Sequence, residues 1–136
     1  MLCFTQAWGD SVSKLYKHFS EYQGEWPWKN FTPAEVSCRC CGELYLDPES
    51  MEALQLLRDI WGKPIIINSG HRCVARNASV GGADASLHLK LAFDCRCPAP
   101  EQDEFAALAR QAGVAGIGRY PELNFVHLDL GPRREW

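Results

Sequence analysis

Two short stretches of this chain hold residues whose types and spacing could do chemistry. The first runs from Ser69-Gly70-His71-Arg72 through Ser86-Leu87-His88 to Asp94, and the second contains His127-Leu128-Asp129. Two imidazoles and a carboxylate from separated segments form the ligand set of a catalytic zinc that keeps one position open for water. Zn²⁺ polarises a carbonyl and lowers the pKa of its bound water toward about 7, while amide hydrolysis also needs a base for the water's proton. Asp129, two residues from His127, is the first choice for that base, or it orients the ring of His127 or His88 from behind. Glu122, on the preceding loop, is the competing base. Arg72 follows a Ser-Gly turn, where its planar fork would be free to grip a substrate carboxylate. Ser86 either donates to the same carboxylate or caps a turn. Together these groups point to a metal-dependent hydrolase.

The elements that must position them are legible from periodicity. His127 and Asp129 would leave one face of a strand over Phe125 to Leu130, while Val126, Leu128 and Leu130 line the other. Asp94 falls in a second strand candidate, Leu91 to Cys95, six positions after His88. Pro64 to Ile67 reads as a short buried strand ending where the first cluster begins, Val80-Gly81-Gly82 as a loop, and Val114 to Gly118 as a further strand, turning near Tyr120-Pro121-Glu122. Thr32-Pro33-Ala34-Glu35 carries helix-start signals. A second start at Asp47-Pro48 leads into Met51, Leu54, Leu57 and Ile60 at helical spacing, with Leu56 and Trp61 widening the apolar face and Gly62 as the stop. Gln102 to Ala112 is a third helix, ended by Gly113. Val12 to Tyr22 is weakly amphipathic, and Trp26 and Trp28 are expected to cover one side of a small core. Helices early and short strands late predict an α+β fold, a small antiparallel sheet with flanking helices. Residues 1–30 read as an N-terminal extension and 31–136 as the functional domain.

Length and charge narrow the function classes. A chain of 136 residues makes one core, and a formal charge of −3 with no basic cluster beyond Arg133-Arg134 argues against a nucleic-acid surface. The longest apolar run is too short to span a bilayer, and no basic region followed by an apolar core opens the chain. The expectation is a monomer that is cytoplasmic as synthesised. Seven cysteines, an odd number, cannot all pair within one chain. Cys38, Cys40 and Cys41 form one group and Cys95 and Cys97 another, while Cys3 and Cys73 stand alone. Reduced thiols are expected, with a structural zinc or iron–sulfur site made from the two groups as the alternative.

The ordered set Ile67-Asn68-Ser69-Gly70-His71-Arg72, Asn77, Val80-Gly81-Gly82, Ser86-Leu87-His88, Ala92-Phe93-Asp94 and Phe125-Val126-His127-Leu128-Asp129 resembles a known family. It is similar to the zinc D-alanyl-D-alanine carboxypeptidases and their phage and bacterial murein endopeptidase relatives, which share the hedgehog/DD-peptidase fold. The resemblance spans roughly residues 30 to 134. It implies His88, Asp94 and His127 as zinc ligands, Arg72 as the substrate carboxylate's partner with Ser86 beside it, and peptidoglycan stem peptides as substrate. Phage enzymes of this endolysin-like type reach the wall with help at lysis, a route that would fit a chain for which no export signal is expected.

Two departures from the family pattern have consequences. The family spaces its ligands Ser-x-His-x-x-Gly-x-Ala-x-Asp, whereas Ser86 to Asp94 here lacks one residue, as though the glycine before Leu91 were missing. Absorbed in the loop, the deletion leaves Asp94 at the metal; a one-residue strand slip would turn it to the opposite face. Many relatives also carry a carboxylate where this chain has Asn124, which could hold a water or an oxyanion but not take a proton. These departures motivate an alternative, a murein-binding module of the same fold with an impaired metal site.

Overall fold

The structure, a computed structural model, describes residues 12–82 and 86–136. Its centre is a five-stranded sheet of β3 (Ile67–Ser69), β4 (Phe93–Arg96), β5 (Gly116–Tyr120), β6 (Phe125–Asp129) and β7 (Arg134–Glu135). Strand order is β3-β4-β6-β5-β7, antiparallel except where β7 joins β5 in parallel. A separate antiparallel ribbon pairs β1 (Lys14–Tyr16) with β2 (Leu44–Leu46). The chain is an α+β domain with helices flanking the sheet, as the distribution of patterns predicts.

Alternation along the central strands separates two faces. Phe93 stands opposite Leu128 and Cys95 opposite Val126, and all four are buried. With Ile117 of β5 they share one apolar cluster with Met51, Leu54 and Leu57 of α1 (Pro48–Trp61) and with Phe105, Ala106 and Ala109 of α3 (Gln102–Gln111). Asp94, between Phe93 and Cys95, and His127, between Val126 and Leu128, must therefore emerge on the face turned away from the helices. That division is what makes a polar site possible on so small a core.

Helix α1 has the expected punctuation. Asp47 precedes Pro48, its Oδ2 accepting from Ser50 Oγ at 2.6 Å, and Gly62 closes the helix at φ 74° with its N–H on the Arg58 carbonyl. Its apolar face is narrower than the spacing suggests, for Leu56 and Ile60 are 44% and 40% exposed. Thr32 and Glu35 make the reciprocal bonds of a capping box, yet only one 3₁₀ turn follows, over Ala34–Val36. The cysteine-rich turn begins at once and leaves no room for a helix. Val12 to Tyr22 divides into β1 and a 3₁₀ turn over Phe19–Glu21, and Trp28, 2% exposed, sits in the core with Phe31.

Three elements escape the pattern reading: the β1–β2 ribbon, the short helix α2 (Val74–Ser79), and β7. Each is too short for a period to register. The strand expected over Pro64–Ile67 begins only at Ile67, because Pro64 has no N–H for a ladder and Ile66 faces solvent.

The missing residue between His88 and Asp94 is taken up before β4 starts. His88 lies in a 3₁₀ turn, Leu87–Leu89, and Lys90 then redirects the chain at φ −114°, ψ −117°. Leu91 and Ala92 are buried, and β4 enters in register, Asp94 opposite His127. The Lys90 carbonyl accepts from Nδ1 of buried His71, whose Nε2 lies 2.8 Å from Glu43, so His71 braces this turn from behind.

Truncation on the two sides of α1 should separate core from surface. Leu57→Ala is expected to destabilise the fold by about 2–5 kcal/mol. Ile60→Ala should change stability by no more than about 0.5 kcal/mol. Urea unfolding of the two variants checks both.

Candidate metal centre

On the polar face of the sheet, β4, β6 and the turn after Ser86 bring three ligand atoms together. His88 Nε2 lies 3.2 Å and His127 Nδ1 3.0 Å from the same Asp94 oxygen, Oδ1. All three side chains are largely buried, and their ligand atoms lie within 4.8 Å of one another. Each imidazole is fixed through its other nitrogen. His88 Nδ1 donates to the Gly70 carbonyl at 2.7 Å, and His127 Nε2 donates to Asp129 Oδ2 at 2.6 Å. A carbonyl and an ionised carboxylate are acceptors only, so these nitrogens carry the protons. The inward nitrogens then present lone pairs to a third acceptor, Asp94.

Three acceptors facing one another require a cation between them. A proton answers the demand partly: burial alone lowers the pKa of His127, but its hydrogen bonds to Asp129 and Asp94 raise it above the ordinary value. Burial likewise pushes the Asp94 carboxyl up, yet hydrogen bonds with His127 and His88 hold it well below the carboxylate range. Two neutral imidazoles and a carboxylate, each imidazole oriented from behind, fit a divalent ion and suit Zn²⁺ with a position left open.

The trio borders an open cleft of about 640 Å³. Arg72 lines it, its Nε donating to Ser69 Oγ at 3.3 Å, one Nη to Asn77 Oδ1 at 3.2 Å, and the other lying 3.5 Å from Asp94 Oδ2. Ser86 also lines the cleft and caps the His88 turn, its Oγ accepting from the His88 N–H at 3.2 Å. The opposite wall is Tyr120, Phe125, Arg134 and Trp136. Trp136 Nε1 donates to the Tyr120 hydroxyl oxygen at 2.7 Å, and its ring lies 5.5 Å from that of His127.

Asp129 stands behind His127 rather than in the cleft. Its oxygens accept from His127, from both Arg134 guanidinium nitrogens at 3.0 and 2.8 Å, and from the Gly131 N–H at 2.9 Å. Burial pushes its carboxyl up, but these donors, His127 first, hold it well below the usual range. With its lone pairs engaged and its side chain 1% exposed, Asp129 is placed to orient a ring, not to collect a proton from water. Glu122 is exposed in the turn between β5 and β6 and does not line the cleft. Asn124, at φ 56°, turns the chain there and accepts from the Ala99 N–H through Oδ1, also away from the cleft. Among the described residues, Asp94 is the one carboxylate lining the cleft.

Arg134, Tyr120 and Trp136 are the site residues that sequence reasoning misses. One signal was available. Gly116 pairs with Asp129 and Gly118 with His127, so both glycines lie on the reactive face. A Cβ at Gly116 would meet Arg134 Nη1 and Asp129 Oδ1 at 2.3 Å, and one at Gly118 would meet the Trp136 ring at 2.4 Å. Bare strand positions on the polar face mean that something else must fill that space.

Comparison with known proteins agrees with this geometry. The peptidase M15 family profile matches residues 29–129. The chain is 37% identical over 101 residues to the peptidoglycan L,D-endopeptidase MepK of Escherichia coli (strain K12), an alignment covering 67% of this chain and 54% of the relative. The protein of that name from Shigella flexneri matches equally, and a probable one from Haemophilus influenzae is 36% identical over 73 residues, 49% of this chain and 39% of the relative. The chain thus spans about half the length, or less, of these curated relatives. No described helix is long and apolar enough to cross a membrane. With the profile covering most of its length and the ligand trio assembled on the sheet, the chain belongs to the M15 family of zinc peptidases and is related to MepK.

Proposed function

We propose that this protein is a zinc metallopeptidase that hydrolyses an amide bond in peptidoglycan stem peptides. The observation that carries the reading is the convergence of His88, Asp94 and His127 beside Arg72 in an open cleft. The activity for which the relatives are named, peptidoglycan L,D-endopeptidase, supports the substrate class and favours endopeptidase over carboxypeptidase action. When bound, Zn²⁺ supplies a water acidic enough to attack near neutral pH and a Lewis acid for the scissile carbonyl.

The chain's own groups do the positioning. Arg72 is held by Ser69 and Asn77 with its remaining Nη 3.5 Å from Asp94, and its guanidinium borders the cleft, where it would bind a substrate carboxylate. Gly70 and Asp129 keep the His88 and His127 tautomers that turn lone pairs inward. Arg134 keeps Asp129 ionised for that duty. The Tyr120 hydroxyl, its oxygen accepting from Trp136, is a donor on the cleft wall suited to a substrate carbonyl.

Incubation of zinc-loaded protein with purified murein fragments, with mass analysis of the products, tests the reading. New fragments differing by one water identify both the activity and the bond. Retention on murein without any cleavage would instead support the binding-module alternative.

Arg72→Lys should leave the protein folded and zinc-loaded, because charge is kept while the planar fork is lost. Its turnover of carboxylate-bearing fragments should fall sharply; unchanged kinetics would remove Arg72 from the substrate site. Asp129→Asn should weaken zinc retention by about 10–100-fold in a chelator competition. Glu122→Gln, in an exposed turn, should retain both zinc and rate.

A further inference from the structure

Apart from the site above, one other cluster of metal-ligating side chains stands out among the described residues: Cys38, Cys40, Cys41 and Cys73. The sequence groups Cys38–Cys41 with Cys95 and Cys97 as the conceivable metal site and leaves Cys73 alone. The fold sorts them otherwise. Cys95 is fully buried on the apolar face of β4, and Cys97 is buried just after it. Cys73 instead comes to the first group, while Cys3 lies outside the described residues.

We propose that Cys38, Cys40, Cys41 and Cys73 form a second, structural metal site that holds one tetrahedral zinc ion and clamps the backbone carrying Arg72.

The distances suit a single ion. The four sulfurs lie within 4.8 Å of one another, with Cys38–Cys40 and Cys40–Cys73 each at 3.5 Å. A tetrahedral zinc with Zn–S bonds of about 2.3 Å sets its sulfurs about 3.8 Å apart. An iron–sulfur cluster must also house inorganic sulfide between its irons, and so holds its thiolates farther apart than one ion does. Thiolate-only coordination closes the shell, the mark of structural rather than catalytic zinc.

The backbone around the cluster is built for ligation. The turn Cys38-Arg39-Cys40-Cys41-Gly42 is closed by the Gly42 N–H on the Cys38 carbonyl at 2.9 Å, with Gly42 at φ 79°. The Cys38 N–H reaches the Glu43 carbonyl at 2.8 Å. Three sulfurs from one tight turn thus serve as a knuckle, with Cys38 and Cys41 separated by the two residues usual for one. Cys73 supplies the fourth from the N-cap of α2, where its sulfur accepts from the Arg76 N–H at 3.3 Å. Arg39, inside the turn, donates to the Ile67 carbonyl and pins the knuckle to β3.

The location gives the ion its role. Cys73 directly follows Arg72, and this segment packs so closely on the 3₁₀ turn before the knuckle that a Cβ on Gly70 would lie 2.5 Å from the Val36 carbonyl oxygen. The His71 N–H bonds that same carbonyl at 2.9 Å, and the Arg72 N–H bonds the His88 carbonyl at 2.6 Å. An ion joining Cys73 to the knuckle would hold both the arginine and the Gly70 carbonyl that orients His88.

Metal counting separates this site from the histidine site. The full chain, purified from zinc-supplemented cells under reducing conditions without oxygen, should carry two zinc ions per molecule. Cys40→Ser, at an exposed ligand, and His127→Ala should each carry one. If the histidine site alone failed to bind, the wild type would hold one zinc and Cys40→Ser none, leaving the thiolate site intact. Cobalt substitution of the wild type needs no variant: a near-ultraviolet thiolate-to-cobalt charge-transfer band is expected, and it should persist in His127→Ala. A wild type lacking that band would overturn the proposal. So would four thiols alkylated without metal release, a native mass lower by two hydrogens per disulfide, or bound inorganic sulfide.

Discussion

The cleft depends on one cross-strand pair, Asp94 opposite His127 on β4 and β6. Neither side chain reaches the other unless both leave the same face of the sheet. In an antiparallel pair that condition is met or lost for the whole strand together. The apolar partners Phe93–Leu128 and Cys95–Val126 secure it, because moving either strand by one residue would drive its polar member of the pair into the core and expose its two buried side chains. The hydrophobic effect thus sets the register, and the register assembles the ligands. His88 lies outside the sheet and is held by a shorter-range device, its ring bonded to the Gly70 carbonyl and its turn capped by Ser86.

Behind the ligands runs a second line of interactions in which each group makes the next one usable. Arg134 pairs bidentately with Asp129, Asp129 accepts from His127, and His127 turns its remaining lone pair toward Asp94. A buried carboxylate without a cation would be costly, and paired in this way it stays charged and fixes the imidazole tautomer. The last strand, β7, exists for this purpose as much as for the sheet: it delivers Arg134 and lets Trp136 close the wall beside His127. Gly116 and Gly118 give the space for both.

Asp94 and Asp129 show how neighbouring carboxylates on one face take different parts. Asp94 directs one oxygen at two imidazoles and the other toward Arg72, at the edge of the cleft. Asp129, two residues from His127 along β6, is enclosed by Arg134, Gly131 and His127 and does not line that cleft. Proximity in sequence made Asp129 the natural base; in the fold its oxygens are engaged by His127, Arg134 and Gly131. Arg72 stands on the opposite bank, where the polar side of the sheet meets the cysteine turn through the Gly70–Cys73 backbone.

Much of this was determined by the sequence alone. Alternation at Phe125–Asp129 and Phe93–Cys95 fixes which residues face the helices, and the helical spacing of Met51, Leu54 and Leu57 supplies the layer they pack on. Those are local periodicities, set by backbone geometry, and they suffice for the α+β class and for the polar face bearing His127 and Asp94. Tertiary structure decided the rest, because it turned on distances between segments far apart in the chain. The short His88–Asp94 spacing could be absorbed or transmitted, and only the turn at Lys90, braced by His71, settles that Asp94 stays in register. The enclosure of Asp129 waited on Arg134 from a strand of two residues, too short to carry a pattern. Cys73 joins Cys38, Cys40 and Cys41 because Gly70 lets two backbones approach, a meeting that no spacing of cysteines in one dimension encodes.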